Sequence, residues 1–154
     1  MSFELRELRP GLRRWRTEHP DWSPNEAWPQ LVGSVAAHLD GAFALIDPQL
    51  PADPREAGRL WSALERDLER SGLPAVVLLK CEWHARSSAA FAERLGAAVW
   101  QPGSETPLPE GVEEVRVEGD DWQESLLVLP MHAAVVAGDV ILGAPGGVRL
   151  PADW

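Results

Sequence analysis

The feature that most constrains the fold is a short apolar run, Ala-Val-Val-Leu-Leu, at residues 75–79. Such a run is typical of a strand buried on both faces, because a half-exposed strand would alternate apolar and polar residues. It lies between two segments whose apolar spacing predicts helices, one at residues 54–71 and one that starts at residue 87 or 88 and ends at residue 95. Strands that alternate with helices pair in parallel through crossover connections. The chain is therefore expected to contain a layered α/β sheet.

The first predicted helix has clear signals at both ends. Asp53 is placed to cap it, Pro54 suits the first helical position, and Gly72 is placed to end it. Its apolar side chains recur at helical spacing and form one face, which consists of Ala57, Leu60, Trp61, Leu64 and Leu68. This face is expected to pack on the sheet.

The other elements are predicted to be strands. Asp40-Gly41 separates two apolar segments and favours a tight hairpin turn, because both positions tolerate positive φ. Strands are predicted at residues 3–8, 12–19, 31–39, 42–46, 97–100, 112–117, 126–129, 133–137 and 140–142, with a glycine-rich loop at 143–147. Hairpins combined with βαβ order favour the α/β (α+β) class, in a single domain over residues 1–154.

Composition and charge argue against several function classes. The chain of 154 residues has a formal net charge of −10, eight tryptophans, four histidines and one cysteine. So acidic a protein repels phosphate backbones, and nucleic-acid binding is not expected. No segment approaches the ~20 apolar residues that cross a bilayer, and the N-terminus lacks the pattern of a secretory signal. A cytoplasmic protein with no membrane partner is expected.

Three motifs occur in an order and spacing found in a known superfamily. They are a strand ending in Leu45-Ile46-Asp47, an apolar strand running into Lys80-Cys81-Glu82-Trp83-His84-Ala85, and a hairpin closing on Gly138-Asp139. In these motifs the chain resembles the metallo-β-lactamase fold superfamily, whose metal loop has the pattern His-x-His-x-Asp-His. The resemblance implies an αββα sandwich, here shortened at the C-terminus.

The resemblance also implies that the usual metal signature is largely broken. Lys80, Glu82, His84 and Ala85 stand at the four metal-loop positions, in that order. A site for two zinc ions needs several neutral histidines, so such a site is not expected. Acidic or imidazole side chains remain at four positions and are candidate ligands for a single Zn, Mn or Fe ion: Glu82, His84, Asp120 and Asp139.

Lys80 offers an alternative to a bound metal. Its ammonium is expected to pair with Glu82, Asp120 or Asp139, because unpaired buried carboxylates are costly. On this interpretation the protein needs no cofactor and is a non-catalytic binding or oligomeric module. On the other interpretation it is a metal-dependent hydrolase that uses the altered ligand set. Trp83 is expected to form a wall of any pocket that binds a small molecule.

The C-terminus predicts a partner. The superfamily fold usually continues beyond the point that corresponds to Trp154, so part of the second sheet is expected to be uncovered. Uncovered sheet surfaces are usually buried against another molecule, which predicts a homodimer. A truncated gene product explains the missing end equally well.

Overall fold

The computed structural model describes residues 3–144 and 146–150. Its largest element is a six-stranded sheet in which the strands lie side by side in chain order. The strands are β1 (Phe3–Arg9), β2 (Leu12–Glu18), β3 (Leu31–His38), β4 (Phe43–Ile46), β5 (Ala75–Leu78) and β6 (Ala98–Trp100). Strands β1 to β4 pair antiparallel, whereas β4, β5 and β6 pair in parallel. The predicted hairpin turn at Asp40-Gly41 and the predicted βαβ order are confirmed.

Two helices connect the parallel strands. Helix α1 (Pro54–Ser71) begins where Asp53 Oδ1 accepts hydrogen bonds from the backbone nitrogens of Arg55 and Glu56, at 2.7 and 3.0 Å. It ends at Gly72, whose φ of 64° favours a residue without a Cβ. Helix α2 (Ser88–Leu95) follows β5. No helix in the described part of the chain is long and apolar enough to cross a membrane.

The helices cover one face of the six-stranded sheet and a second sheet covers the other. The core on the helical side consists of Trp15, Ala36, Phe43, Leu45, Leu60, Trp61, Leu64, Val77, Leu79 and Phe91. The second sheet contains β7 (Glu113–Glu118), β8 (Gln123–Leu129) and β9 (Ala134–Val136), which pair antiparallel. Its Leu127 and Leu129 pack in a separate core with Ala37, Leu39 and Leu78. Residues 3–144 and 146–150 thus form three layers.

The end of the described chain differs from the prediction. A strand was expected at 140–142, followed by a loop. Instead, β10 (Leu142–Ala144) pairs antiparallel with β11 (Gly147–Arg149). Gly146 has a φ of 78°, which a tight turn between two strands accommodates. The prediction was wrong because a glycine-rich segment is compatible with a hairpin turn as well as with an irregular loop.

The outer side of the second sheet carries an apolar surface. Residues opposite each other in an antiparallel pair project to the same side, and here Val115 lies opposite Leu126 and Val128 lies opposite Val135. Val115 is 48% exposed and Val135 is 58% exposed. We call these four residues the outer apolar face. No helix in the described residues covers it.

Candidate functional site

A buried carboxylate at the end of β4 is the centre of the site. Asp47 is 1% exposed, and its Oδ1 accepts a hydrogen bond from the backbone nitrogen of Lys80 at 3.0 Å. Its Oδ2 lies 2.9 Å from Lys80 Nζ and 2.8 Å from His84 Nδ1. Asp47 and Lys80 follow β4 and β5, which are parallel neighbours and therefore end at the same edge of the sheet. The topology thus brings the two residues together.

His84 lies between two carboxylates. It ends a short 3-10 turn (Glu82–His84), and its Nε2 is 3.5 Å from Asp139 Oδ2 while its Nδ1 contacts Asp47. Trp83 Nε1 donates a hydrogen bond to the same oxygen of Asp139 at 3.1 Å. An imidazole with a carboxylate at each nitrogen is stabilised with a proton on both nitrogens. His84 is therefore an imidazolium in this arrangement.

Lys80 and Glu124 are also buried members of the cluster. The Lys80 ammonium donates a hydrogen bond to the carbonyl of Ala137 at 2.8 Å. Glu124, on β8, is 1% exposed, and its Oε2 accepts a hydrogen bond from the backbone nitrogen of Asp139 at 2.9 Å. Its Oε1 has no hydrogen-bond partner among the described residues. A Cβ at Gly138 would overlap Glu124 Oε1, so glycine permits the carboxylate to lie against the backbone there.

The charges in the cluster shift one another's ionisation. Burial favours a raised pKa for Asp47, but Lys80 and His84 outweigh it and hold the pKa well below its usual range. Burial favours a lowered pKa for His84, but its interactions with Asp139 and Asp47 raise it to about 11. The interaction with His84 lowers the pKa of Asp139 to about 2. At neutral pH the two aspartates are thus ionised and face two cations.

These residues do not fit a metal ion as they are arranged. A histidine binds a metal through an unprotonated ring nitrogen, whereas both nitrogens of His84 face carboxylates. The Lys80 ammonium already contacts the Oδ2 of Asp47. Among the residues that the structure describes, no three His, Cys, Asp or Glu side chains are grouped to hold a metal ion.

The structure divides the four candidate metal ligands between two places. His84 and Asp139 come together in the cluster. Glu82 and Asp120 instead line a neighbouring cleft. The predicted convergence of all four residues is therefore not observed in the described part of the chain.

The partner predicted for Lys80 was also wrong. Its ammonium pairs with Asp47 rather than with Glu82, Asp120 or Asp139. Asp47 was predicted only to end a strand, although the signal for its role was present. Two charged residues that follow neighbouring parallel strands meet at one edge of the sheet.

Glu124 is the other cluster member that sequence reasoning missed. It lies on β8, where the sequence reads Gln-Glu-Ser-Leu-Leu. An acid beside an apolar strand segment is usually solvated, so the pattern carries no signal of a buried site. Its position is revealed only by the tertiary structure, which brings Gly138 and Asp139 against its carboxylate.

An open cleft of about 430 Å³ lies beside the cluster. We call it the acidic cleft, because Glu82, Glu118, Asp120 and Asp121 line it. Two indole rings, those of Trp83 and Trp122, also line it, and Trp83 is 51% exposed. No lysine, arginine or histidine of the described chain is among its lining residues. Its walls are thus negatively charged and aromatic.

Comparison with known proteins identifies the fold. No protein-family model matches the chain, and no match is found among curated proteins. Among solved structures, the DIM-1 metallo-β-lactamase exposed to ceftazidime is similar, with a TM-score of 0.61, 9% identity, and coverage of 93% of this chain and 72% of that chain. The VMB-1 structure at pH 5.5 gives a TM-score of 0.56 and 12% identity, covering 96% and 78% of the two chains.

A third similar structure is a metallo-β-lactamase from Erythrobacter litoralis, with a TM-score of 0.54 and 10% identity, covering 92% of this chain and 68% of that chain. The chain therefore has the metallo-β-lactamase fold, as the sequence motifs predicted. At these identities the likeness is one of fold.

Proposed function

We propose that this chain is a non-catalytic binding module on a metallo-β-lactamase fold. One observation carries the proposal, the placement of Lys80 Nζ 2.9 Å from Asp47 Oδ2 in a buried cluster. The ammonium supplies the positive charge that buried carboxylates require. His84, held between Asp47 and Asp139, has no ring nitrogen left for a metal. The cluster is thus stabilised without the ion on which hydrolysis by this fold would depend.

The acidic cleft supports a particular class of ligand, a small organic cation. Aromatic ring faces attract cations through the ring quadrupole, and tryptophan does so most strongly. Trp83 is fixed in the wall by its hydrogen bond to Asp139. None of the carboxylates of Glu82, Asp120 and Asp121 forms an ion pair with a described residue, so they are available to an incoming positive charge.

Calorimetric titration with choline tests this ligand class. Choline is expected to bind at least tenfold more tightly than its neutral isostere 3,3-dimethylbutan-1-ol, because only choline gains the cation–π and Coulomb attraction. Trp83→Ala is expected to weaken choline binding by roughly tenfold, which corresponds to a cation–π contribution of about 1–2 kcal/mol. The matched control is Trp28→Ala, which removes an indole that hydrogen-bonds Glu26 outside the cleft. It should leave binding unchanged.

The same titration with Zn²⁺ separates the proposal from its alternative. A metal-dependent hydrolase using Glu82, His84, Asp120 and Asp139 would bind one zinc ion per chain and lose it in His84→Ala. That result would overturn the non-catalytic assignment. Equal binding of the neutral alcohol, or no binding of choline, would overturn the ligand class.

We propose further that a second copy of the chain covers the outer apolar face. Closed two-fold dimers are the commonest oligomers, and they bury the same patch of both subunits. The exposed Val115 and Val135 support this proposal, because adjacent exposed apolar side chains on a sheet are usually buried by a partner.

Light scattering at micromolar concentration tests the dimer. The wild-type protein is expected to have twice the mass of one chain. Val135→Glu is expected to be a monomer, because a dimer would bury the new charge at the contact. Val148→Glu is the matched control, since Val148 is 72% exposed on β11 and lies outside the outer apolar face. A monomeric wild-type protein would contradict the dimer.

A further inference from the structure

We infer that the outer edge of β1 binds an extended acidic segment of a partner protein, which adds a strand to the six-stranded sheet and places its carboxylates beside three arginines. These arginines are Arg6 on β1 and Arg14 and Arg16 on β2, and we call them the arginine patch. The inference concerns neither the acidic cleft nor the outer apolar face, and it does not rest on the function proposed above.

The arginine patch lies on one face of the sheet. Arg6 lies directly opposite Arg14 in the antiparallel pair of β1 and β2, and residues opposite each other project to the same side. Arg16 is two residues from Arg14 on the same strand, so it projects to that side too. The other side carries Trp15, which packs in the core under the helices. Arg6 and Arg14 are exposed and Arg16 is partly exposed, so all three are accessible to a partner.

The charge of the patch is largely unneutralised within the described chain. None of its three guanidinium groups forms an ion pair or a side-chain hydrogen bond with another described residue. Partial burial lowers the pKa of Arg14, and the charges of Arg16 and Arg6 lower it too, whereas Glu4 raises it. Like charges directly opposite each other destabilise a sheet. Carboxylates placed between the arginines would therefore relieve a repulsion that is present in the free protein.

The sign of the patch is opposite to that of the whole protein. The chain has a formal net charge of −10. At an ionic strength of about 0.15 M, charges in solvent that are more than about 8 Å apart are largely screened from each other. The local positive charge therefore governs what binds at this surface, and it favours a negatively charged partner.

The position of β1 in the sheet indicates how that partner binds. Strand β1 is at the end of the strand order and pairs with β2 alone among the described strands. Its other side presents backbone N–H and C=O groups, and an extended peptide can pair with such an edge. Side chains of an extended peptide alternate between two faces, so acids at every second position would all face the patch. Strand β1 of a second copy would instead bring arginine to arginine, which disfavours self-pairing.

Calorimetric titration with an eight-residue peptide of alternating glutamate and threonine tests the inference. The peptide is expected to bind, and its glutamine–threonine counterpart is expected to bind at least tenfold more weakly. Arg6→Gln/Arg14→Gln is expected to weaken binding of the acidic peptide by about tenfold, because each exposed ion pair contributes a few-fold. The matched control is Arg55→Gln/Arg66→Gln, which removes the same charge from exposed positions of α1 and should leave binding unchanged. Absence of binding to the wild type would overturn the inference.

Methylated peptides test whether the partner adds as a strand. In an extended peptide the backbone N–H groups of the glutamates point to one edge, and those of the threonines point to the other. Methylation of the nitrogens that face β1 is expected to weaken binding by at least tenfold, whereas methylation of the other set should leave it unchanged. If the two methylated peptides bound equally well, the acidic segment would not add to the sheet and the inference would be wrong.

Two other occupants of the patch are distinguished by further measurements. Tripolyphosphate carries negative charge without a peptide backbone, and binding as tight as that of the acidic peptide would assign the patch to phosphorylated anions instead. Light scattering tests a second copy of the chain. If Arg6→Gln/Arg14→Gln dissociated an oligomer that the wild type forms, the copy would be the occupant and the inference would be overturned.

Loss of binding must also be separated from loss of folding. Removing like charges that lie opposite each other is expected to preserve or raise the Tm of Arg6→Gln/Arg14→Gln, measured by circular dichroism. A lowered Tm would contradict the repulsion from which the inference is drawn. Choline binding to the acidic cleft is measured separately, so failure of one proposal does not imply failure of the other.

Discussion

Asp47→Asn is expected to destabilise the protein by about 3–5 kcal/mol, the cost of breaking a buried ion pair from one side. The substitution keeps the size of the side chain and removes its charge. It leaves the Lys80 ammonium and the His84 imidazolium, both buried, without the carboxylate that faces them. The loss is expected to be measured as a lower midpoint of urea unfolding at pH 7, with an unchanged dependence on urea concentration.

Asp120→Asn is the matched control for this prediction. It makes the same chemical change at an exposed position of the acidic cleft, where no ion pair with a described residue is lost. Surface substitutions of this kind usually alter stability by less than about 0.5 kcal/mol. If Asp47→Asn also lowered the free energy of unfolding by less than about 1 kcal/mol, the ion pairs of Asp47 would not stabilise the fold as the geometry indicates.

Stability is expected to fall as the pH rises above neutrality. The interactions of His84 with Asp139 and Asp47 raise its pKa to about 11, whereas an unfolded histidine titrates near 6.5. Between these values the native state holds a proton that the unfolded state has released. The free energy of unfolding therefore decreases with pH, by up to about 1.4 kcal/mol per unit.

Stability is also expected to fall at acidic pH, and there the cause is the two aspartates. The pKa values of Asp47 and Asp139 are lowered in the native state, Asp139 to about 2. Their contribution is complete above the ordinary aspartate value of about 4 and is lost as the pH falls below it. Together, His84 and the two aspartates therefore favour the greatest stability between about pH 4 and 6.5.

Urea unfolding at pH 5.5, 7.5 and 9.5 measures this dependence. The wild type is expected to become steadily less stable across the three values. His84→Gln cannot gain the proton, so its stability should change much less between pH 5.5 and 9.5. A wild-type profile as flat as that of His84→Gln would contradict the ionisation assigned to this residue.

Much of the fold could be predicted because its signals are local. Asp53 and Gly72 mark the ends of α1, and the structure places the helix between them. The apolar run at 75–79 predicted a strand buried on both faces, and β5 is buried at every position. Helix caps and strand periodicity depend on neighbouring residues in the chain, so one sequence contains the information.

The site could be predicted only in part. His84 and Asp139 were identified as site residues, and they meet in the structure. Lys80 was identified as a residue that neutralises carboxylates, but its partner is Asp47, 33 residues earlier in the chain. A long flexible side chain reaches several neighbouring acids from its strand end, and the local sequence does not distinguish among them.

By itself, the sequence determined most of the order of strands and helices, the metallo-β-lactamase fold, and the presence of a lysine directly after the buried apolar strand. The tertiary structure decided which carboxylate receives that lysine, that Glu124 lies buried beside it, and that Glu82 and Asp120 line a separate cleft. The physical reason is that secondary structure follows from interactions a few residues apart, whereas charge pairing in a buried site depends on sheets and turns that bring distant residues together.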